Sequence, residues 1–153
     1  MEPTRAAGDW ASPRGDLLNR AAVSSGPGAQ LKSLWTASAG VAGGARLTLY
    51  QSTLYAAGGH SPGELTALNA ETGKVRWSKR LRSTITPAAV GPQGVYISEF
   101  HTALTALKHD GTDLWSAPIR AESSPVVLAD KVIAADADGT VSPYHPTPAA
   151  ELW

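Results

Sequence analysis

Along the chain, apolar residues come in short runs, among them "ARLTLYQ", "LYAAGG", "LTAL", "VYISEF", "SPVVL" and "VIAADADG", parted by clusters of Gly, Pro, Asn, Asp and Ser. Runs of this kind, rich in Val, Leu, Tyr and Ala between such breakers, predict strands. Alternation within them is poor. "SPVVL" and "LTAL" place apolar residues on both faces, as a sheet does when it is covered on both sides. Read in order, the pattern is a short apolar run, a turn, a second run, a Gly- or His-containing turn, "LTAL", a polar turn and a last segment holding a tryptophan. It predicts successive antiparallel meanders of four strands each.

The pattern also repeats. Trp35, Trp77, Trp115 and Trp153 stand 42, 38 and 38 residues apart, so four of the five tryptophans share one period. Pro87 and Pro125 keep the same step of 38, within "TPAAV" and "SPVVL". "ELTALNAETGKVRW" (residues 64–77) returns as "ALTALKHDGTDLW" (residues 103–115), which sets Ala67 against Ala106 and Gly73 against Gly111. A period near 40 with four strands per unit is the signature of a β-propeller blade. A lone four-stranded sheet cannot bury both faces, so repetition is the means by which this chain makes a core. In each unit Gly73 or Gly111 is expected to supply a turn with positive φ, and the tryptophan after it to fill the gap between blades.

At these residues the chain resembles a known family. Ala67, Asn69, Thr72, Gly73 and Trp77 are similar to the tryptophan-docking repeat of the pyrroloquinoline-quinone-like β-propellers. The Asp138-Gly139 turn, the Ser/Thr-Pro blade openings and the irregular lead-in over residues 8–35 add to the likeness. Such lead-ins occur in periplasmic assembly-factor propellers and in propeller domains of actinobacterial Ser/Thr kinases. The first unit departs from the pattern with "ARLTLYQ" in place of a Ser/Thr-Pro opening, and the third with "PYHPTPAAE" in place of the usual turn.

The expected fold is therefore all-β: a partial β-propeller of about three four-stranded antiparallel blades plus an orphan N-terminal strand. Residues 1–30 read as an irregular leader and 31–153 as the propeller, with blades at approximately 45–82, 84–120 and 122–153. The orphan strand is expected in "LKSLWTASAG", where Trp35 takes the repeat position. Propellers close with about 4–8 blades, so three imply a fragment of a larger ring or an arc completed by another copy.

Composition narrows the function. Thirteen Lys plus Arg balance thirteen Asp plus Glu, and no basic cluster is expected that could track a phosphate backbone, which argues against nucleic acid as a partner. Cysteine is absent, removing disulfides and thiolate chemistry. No apolar run approaches the roughly 18 residues of a membrane span, and "MEPTRAAGDW" lacks the apolar core of a signal peptide. His60, His101, His109 and His145 fall in turns of different units, an arrangement that does not predict a metal centre. Residues 136–139, "DADG", read as a β-turn rather than a calcium loop. Ser123 and Ser124 read as part of a strand opening, with no nucleophile elbow around them. The Arg-Gly-Asp tripeptide at residues 14–16 is a weak motif match.

The residues thus predict no catalytic, cofactor-binding or metal site. The expectation is a non-enzymatic scaffold or sensor module that binds a protein or peptide, or another copy of itself through open blade edges at "LKSLWTASAG" and "ELW". The resemblance implies an extracytoplasmic setting. It also admits a fragment of a quinoprotein dehydrogenase, although that family pattern includes adjacent cysteines beside the quinone. A third possibility is the propeller portion of a receptor-like Ser/Thr kinase, whose signature motifs are absent from these residues.

Overall fold

A computed structural model of the chain describes residues 32–41, 43–83 and 85–147. The described residues are all-β, arranged as three antiparallel sheets in succession. The first comprises β1 (Arg46–Tyr50), β2 (Thr53–Gly58), β3 (Gly63–Asn69) and β4 (Val75–Leu81), each strand beside the one before it. The second repeats that order with β5 (Ala89–Gly91), β6 (Gly94–Glu99), β7 (Ala103–Leu107) and β8 (Asp113–Ala117). The third holds β9 (Val126–Val127), β10 (Val132–Ala135) and β11 (Val141–Tyr144). Its expected fourth strand, with Trp153, lies outside the described residues.

Local chemistry explains the meander. Gln51 and Ser52 both take positive φ, +45° and +58°, between β1 and β2, the backbone that lets a two-residue hairpin follow the right-handed twist of its strands. Asn69 accepts three hydrogen bonds at Oδ1, from the amides of Glu71 and Thr72 and from the Thr72 hydroxyl, and so closes the turn into β4. The shorter second copy uses Asp110 Oδ1 on Thr112 in the same way. Pro87 and Pro125 stand just before the inner strands β5 and β9, where no ladder N–H is lost.

Two apolar layers hold the sheets face to face. Tyr55, Leu65 and Ala67 of the first sheet meet Val95, Ile97 and Leu107 of the second. On the reverse of the second sheet, Tyr96, Leu104 and Ala106 meet Val132, Ala134 and Tyr144 of the third. Every residue of β6 and β7 is buried, which is the physical meaning of their unalternating sequence. The inner strands approach most closely: β1 touches β5 and β5 touches β9. Thr48 Oγ1 donates to Ala88 O at 2.8 Å, and a Cβ on Gly91 would lie 2.5 Å from Val127 Cγ1.

One element differs from expectation. Residues 32–41 form no strand, although Trp35 takes up the contact its repeat position implies. A strand needs a ladder partner, and this segment is tied to the first sheet by side chains instead, with Thr66 Oγ1 donating to Ala39 O at 2.7 Å.

Candidate functional site at the sheet junctions

The tryptophans mark each junction. Trp77 pairs across the ladder with Ala67, and Trp115 with Ala106. Immediately beside each pair the register slips, leaving Arg76 and Leu114 as the extra residues of a β-bulge. A bulge increases local twist and re-aims the next side chain, here out over the following sheet. Trp77 Nε1 donates to His109 O at 2.8 Å, and its ring lies on Gly111, where an added Cβ would come within 2.7 Å of Cδ2. Trp35 does the same one repeat earlier, donating to Ala70 O at 3.1 Å over Gly73. Both glycines also take positive φ, +86° at Gly111 and +70° at Gly73, so backbone and contact alike exclude a side chain. Trp115 donates to Pro146 O at 3.2 Å and stacks on Tyr144 at 6.0 Å, because "PYHPTPAAE" offers no glycine there.

Trp77 and Trp115 are half-buried on the outer strand at each junction, packed against the apolar layer between the sheets and bonded to the backbone of the following one, while Tyr55 and Tyr96 fill the interior beneath them. Burial pushes both tyrosine hydroxyls up to about 12. Tyr55 OH meets His109 Nδ1 at 3.1 Å, and Pro92 O lies 3.3 Å from Nε2. A carbonyl only accepts, so Nε2 carries the proton and Nδ1 is left to accept from the tyrosine.

A second contact recurs between sheets. The Glu99 side chain, at the end of β6, is 2% exposed; its Oε2 accepts from the Arg82 amide at 2.6 Å and its Oε1 from Thr105 Oγ1 at 2.5 Å. At the next junction Asp136 Oδ2 accepts from the Arg120 amide at 3.2 Å. Each carboxylate ties the exit of one sheet's outer strand to the second strand of the following sheet.

Beside the first clasp, between β4 and β8, opens a cleft of about 340 Å³ lined by Lys79, Arg80, Arg82, Glu99, Asp113 and Trp115, with Thr105 and Ser116 at its wall. Lys79 Nζ meets Asp113 Oδ2 at 2.9 Å. Residues 74–82 carry five of the thirteen Lys and Arg and no acidic residue, a local concentration of cations in a chain of zero formal charge. Whole-chain neutrality hid it; a windowed charge count would have found it.

Other candidates stay apart. His101 Nε2 pairs with Glu122 Oε1, and His145 Nδ1 lies 3.0 Å from Thr147 Oγ1. Among the described residues no three His, Asp or Glu side chains are grouped to hold a metal ion. Residues 136–139 form a turn closed by Gly139 N on Asp136 O at 3.0 Å. Ser123 and Ser124 lie in the loop before β9, and neither hydroxyl bonds to His101. Residues 14–16 lie outside the described residues. Of the two expected open edges, "ELW" lies outside them too, and "LKSLWTASAG" forms no strand where it is described.

With the repeat geometry in place, comparison with known proteins decides the family. The family model described as outer membrane protein assembly factor BamB matches residues 21–153. The chain belongs to this family. BamB from Moraxella catarrhalis is similar at 26% identity with a TM-score of 0.59, over 67% of this chain and 32% of that one. A europium-containing methanol dehydrogenase shares the fold, at 16% identity with a TM-score of 0.73, over 97% of this chain and 32% of that one. The computationally designed Ika4 protein shares it at 14% identity with a TM-score of 0.64, over 81% of this chain and 79% of that one. The chain thus spans about a third of the length of the BamB and dehydrogenase structures. No curated protein matches it. Among the described residues no helix is long and apolar enough to cross a membrane.

Proposed function

We propose that this BamB-family chain is a non-enzymatic, protein-binding scaffold module working outside the cytoplasm. The observation that supports this most is the family match over residues 21–153, on a framework whose junction side chains are bonded to neighbouring backbone. Trp35, Trp77, Trp115, Glu99 and Asp136 all hold one repeat to the next. A stiff array of sheets leaves its loops and outer strands to meet partners, which is how rigid β frameworks present binding surfaces.

The dehydrogenase neighbour raises the question of a quinone and its metal ion. The described residues do not fit that group: no three acidic or histidine side chains gather for the metal, and the chain has no cysteine. A paired titration tests the reading, first with pyrroloquinoline quinone plus calcium or a lanthanide ion, then with a library of unstructured peptides. Saturable peptide binding with no quinone retained after desalting supports the scaffold role. Retained quinone with alcohol-dependent dye reduction overturns it.

A further inference from the structure

Residues 32–41 are held to the first sheet differently from the strands around them. Each strand is secured by a ladder, whereas among the described residues this segment makes no backbone–backbone hydrogen bond. It lies on the face of the first sheet opposite Leu65 and Ala67, away from the second sheet. Contacts at both ends fix it. The Trp35 ring lies on Gly73 with Nε1 donating to Ala70 O at 3.1 Å, and four residues on Thr66 Oγ1 donates to Ala39 O at 2.7 Å. The threonine proton is thus directed at Ala39, so Ser78 Oγ, 2.7 Å from Thr66 Oγ1, is the donor between those two hydroxyls. Val41 ends the segment against Gly58, where an added Cβ would lie 3.3 Å from its own.

None of these residues belongs to the apolar layer between the first and second sheets, and β1 to β4 pair in full without the segment. Lifting it would leave the sheet standing. Leu34 is 84% exposed and adds nothing to the hold. Gly40, Gly43 and Gly44 take positive φ, +72°, +75° and +90°, where the chain turns from the segment toward β1, and nothing stands within 4 Å of a Cβ placed on Gly44. That is hinge backbone. Trp77 makes the same indole contact with Gly111 and His109 O but is also fixed in a ladder opposite Ala67. Trp35 has the contact without the ladder, which is how a bound peptide sits.

We propose that this face of the first sheet, from the Gly73 turn to Gly58, is a binding site for an extended, tryptophan-bearing segment of a partner protein, and that residues 32–41 are its exchangeable intramolecular occupant. This rests on the protein-binding reading above and names the chemistry of the partner. The seat selects indole, because a phenyl ring could cover Gly73 but has no N–H for Ala70 O. A tethered occupant competes at an effective concentration of about millimolar, so the segment also guards the site.

The test titrates a dye-labelled peptide of residues 32–41 into the full chain and its Trp35→Ala variant, read by fluorescence anisotropy. Trp35→Ala, whose own segment has lost its indole, should bind the peptide saturably, and the parent chain roughly tenfold more weakly or worse. Phe in place of the peptide's tryptophan should weaken binding, and Ala should abolish it. Within the Trp35→Ala background, Gly73→Asn keeps a residue that tolerates positive φ but places a side chain where the indole lies, and should abolish binding. Gly139→Asn, the same change at a positive-φ turn with nothing within 4 Å, should alter it less than about twofold. Thermal unfolding verifies each fold, and Thr66→Val, which should weaken binding severalfold, serves if Gly73→Asn does not fold. No saturable binding to Trp35→Ala, equal binding to the parent, or equal binding of the Ala peptide would overturn the proposal. A Trp35-dependent dimer in sedimentation with no peptide binding would assign the seat to a second copy and overturn it too. Library peptides that bind when this peptide does not would sink the site and leave the scaffold reading intact, whereas retained quinone overturns that reading whatever this peptide does.

Discussion

At the scale of single residues, the indoles work at the margin of the sheets rather than inside them. Trp115 is half-buried, with an indole N–H bonded to Pro146 O and one face on Tyr144. Trp115→Ala should therefore lose about 2–4 kcal/mol, toward the lower part of the range for fully buried aromatics, as read by urea unfolding. The tyrosines beneath titrate in a predictable direction. Tyr55 and Tyr96 are raised by burial from 10.0 to about 12, so the unfolded chain ionises first as pH climbs. Their contribution is complete below pH 10 and declines from there through 12, and chemical denaturation at stepped alkaline pH should show the midpoint falling in that window. Asp110 and Asp138 act at the other end. Hydrogen bonds from Thr112 and Thr140 hold each carboxyl below its usual value, so the stability they add is present above that value and lost as acid protonates them.

At the scale of elements, the carboxylate clasp distinguishes the two junctions. Glu99 is buried with two short hydrogen bonds, whereas Asp136 is half-buried with a longer one. Glu99→Gln turns an acceptor into a donor facing the Arg82 amide or the Thr105 hydroxyl and should cost about 1–3 kcal/mol. Asp136→Asn should cost less, and equilibrium unfolding of the pair checks the order. The strands themselves were legible in the sequence, because "LTAL" and "VYISEF" lack alternation and only doubly covered sheets tolerate that. The lack of a strand at residues 32–41 is not legible in the sequence, since the period that places Trp35 carries no information about a ladder partner. The clasp was not legible at all. It joins a side chain to a backbone amide across repeats, and Glu99 and Asp136 do not look alike in sequence.

At the scale of the whole molecule, the repeat period gives the order of neighbours along the array but not their radial position. That is why the pairing of Ala67 with Trp77 and of Ala106 with Trp115 was visible as a pattern while the outward placement of the indoles was not. The cationic outer strand was averaged away by a formal charge of zero. The second sheet is buried on both faces, but among the described residues the third is covered on only one. Val126 and Val141 share the face opposite Val132 and Tyr144 and are 47% and 62% exposed, and Leu47 of the first sheet is 53% exposed. Apolar faces of this kind favour association. Sedimentation of the 153-residue chain on its own should show mass increasing with concentration.

The central claim is that each indole is seated on the turn of the following repeat, and a double-mutant cycle at Trp77 and Gly111 tests it most directly. Gly111→Ala should cost about 2–3 kcal/mol in the parent chain, from a Cβ forced against the indole and from the left-handed backbone together. In a Trp77→Ala background the clash is gone, and only the backbone strain of about 1–2 kcal/mol should remain. A coupling energy near zero, with the two losses simply adding, would contradict the docking of Trp77 on Gly111 and the stacked-repeat account built on it.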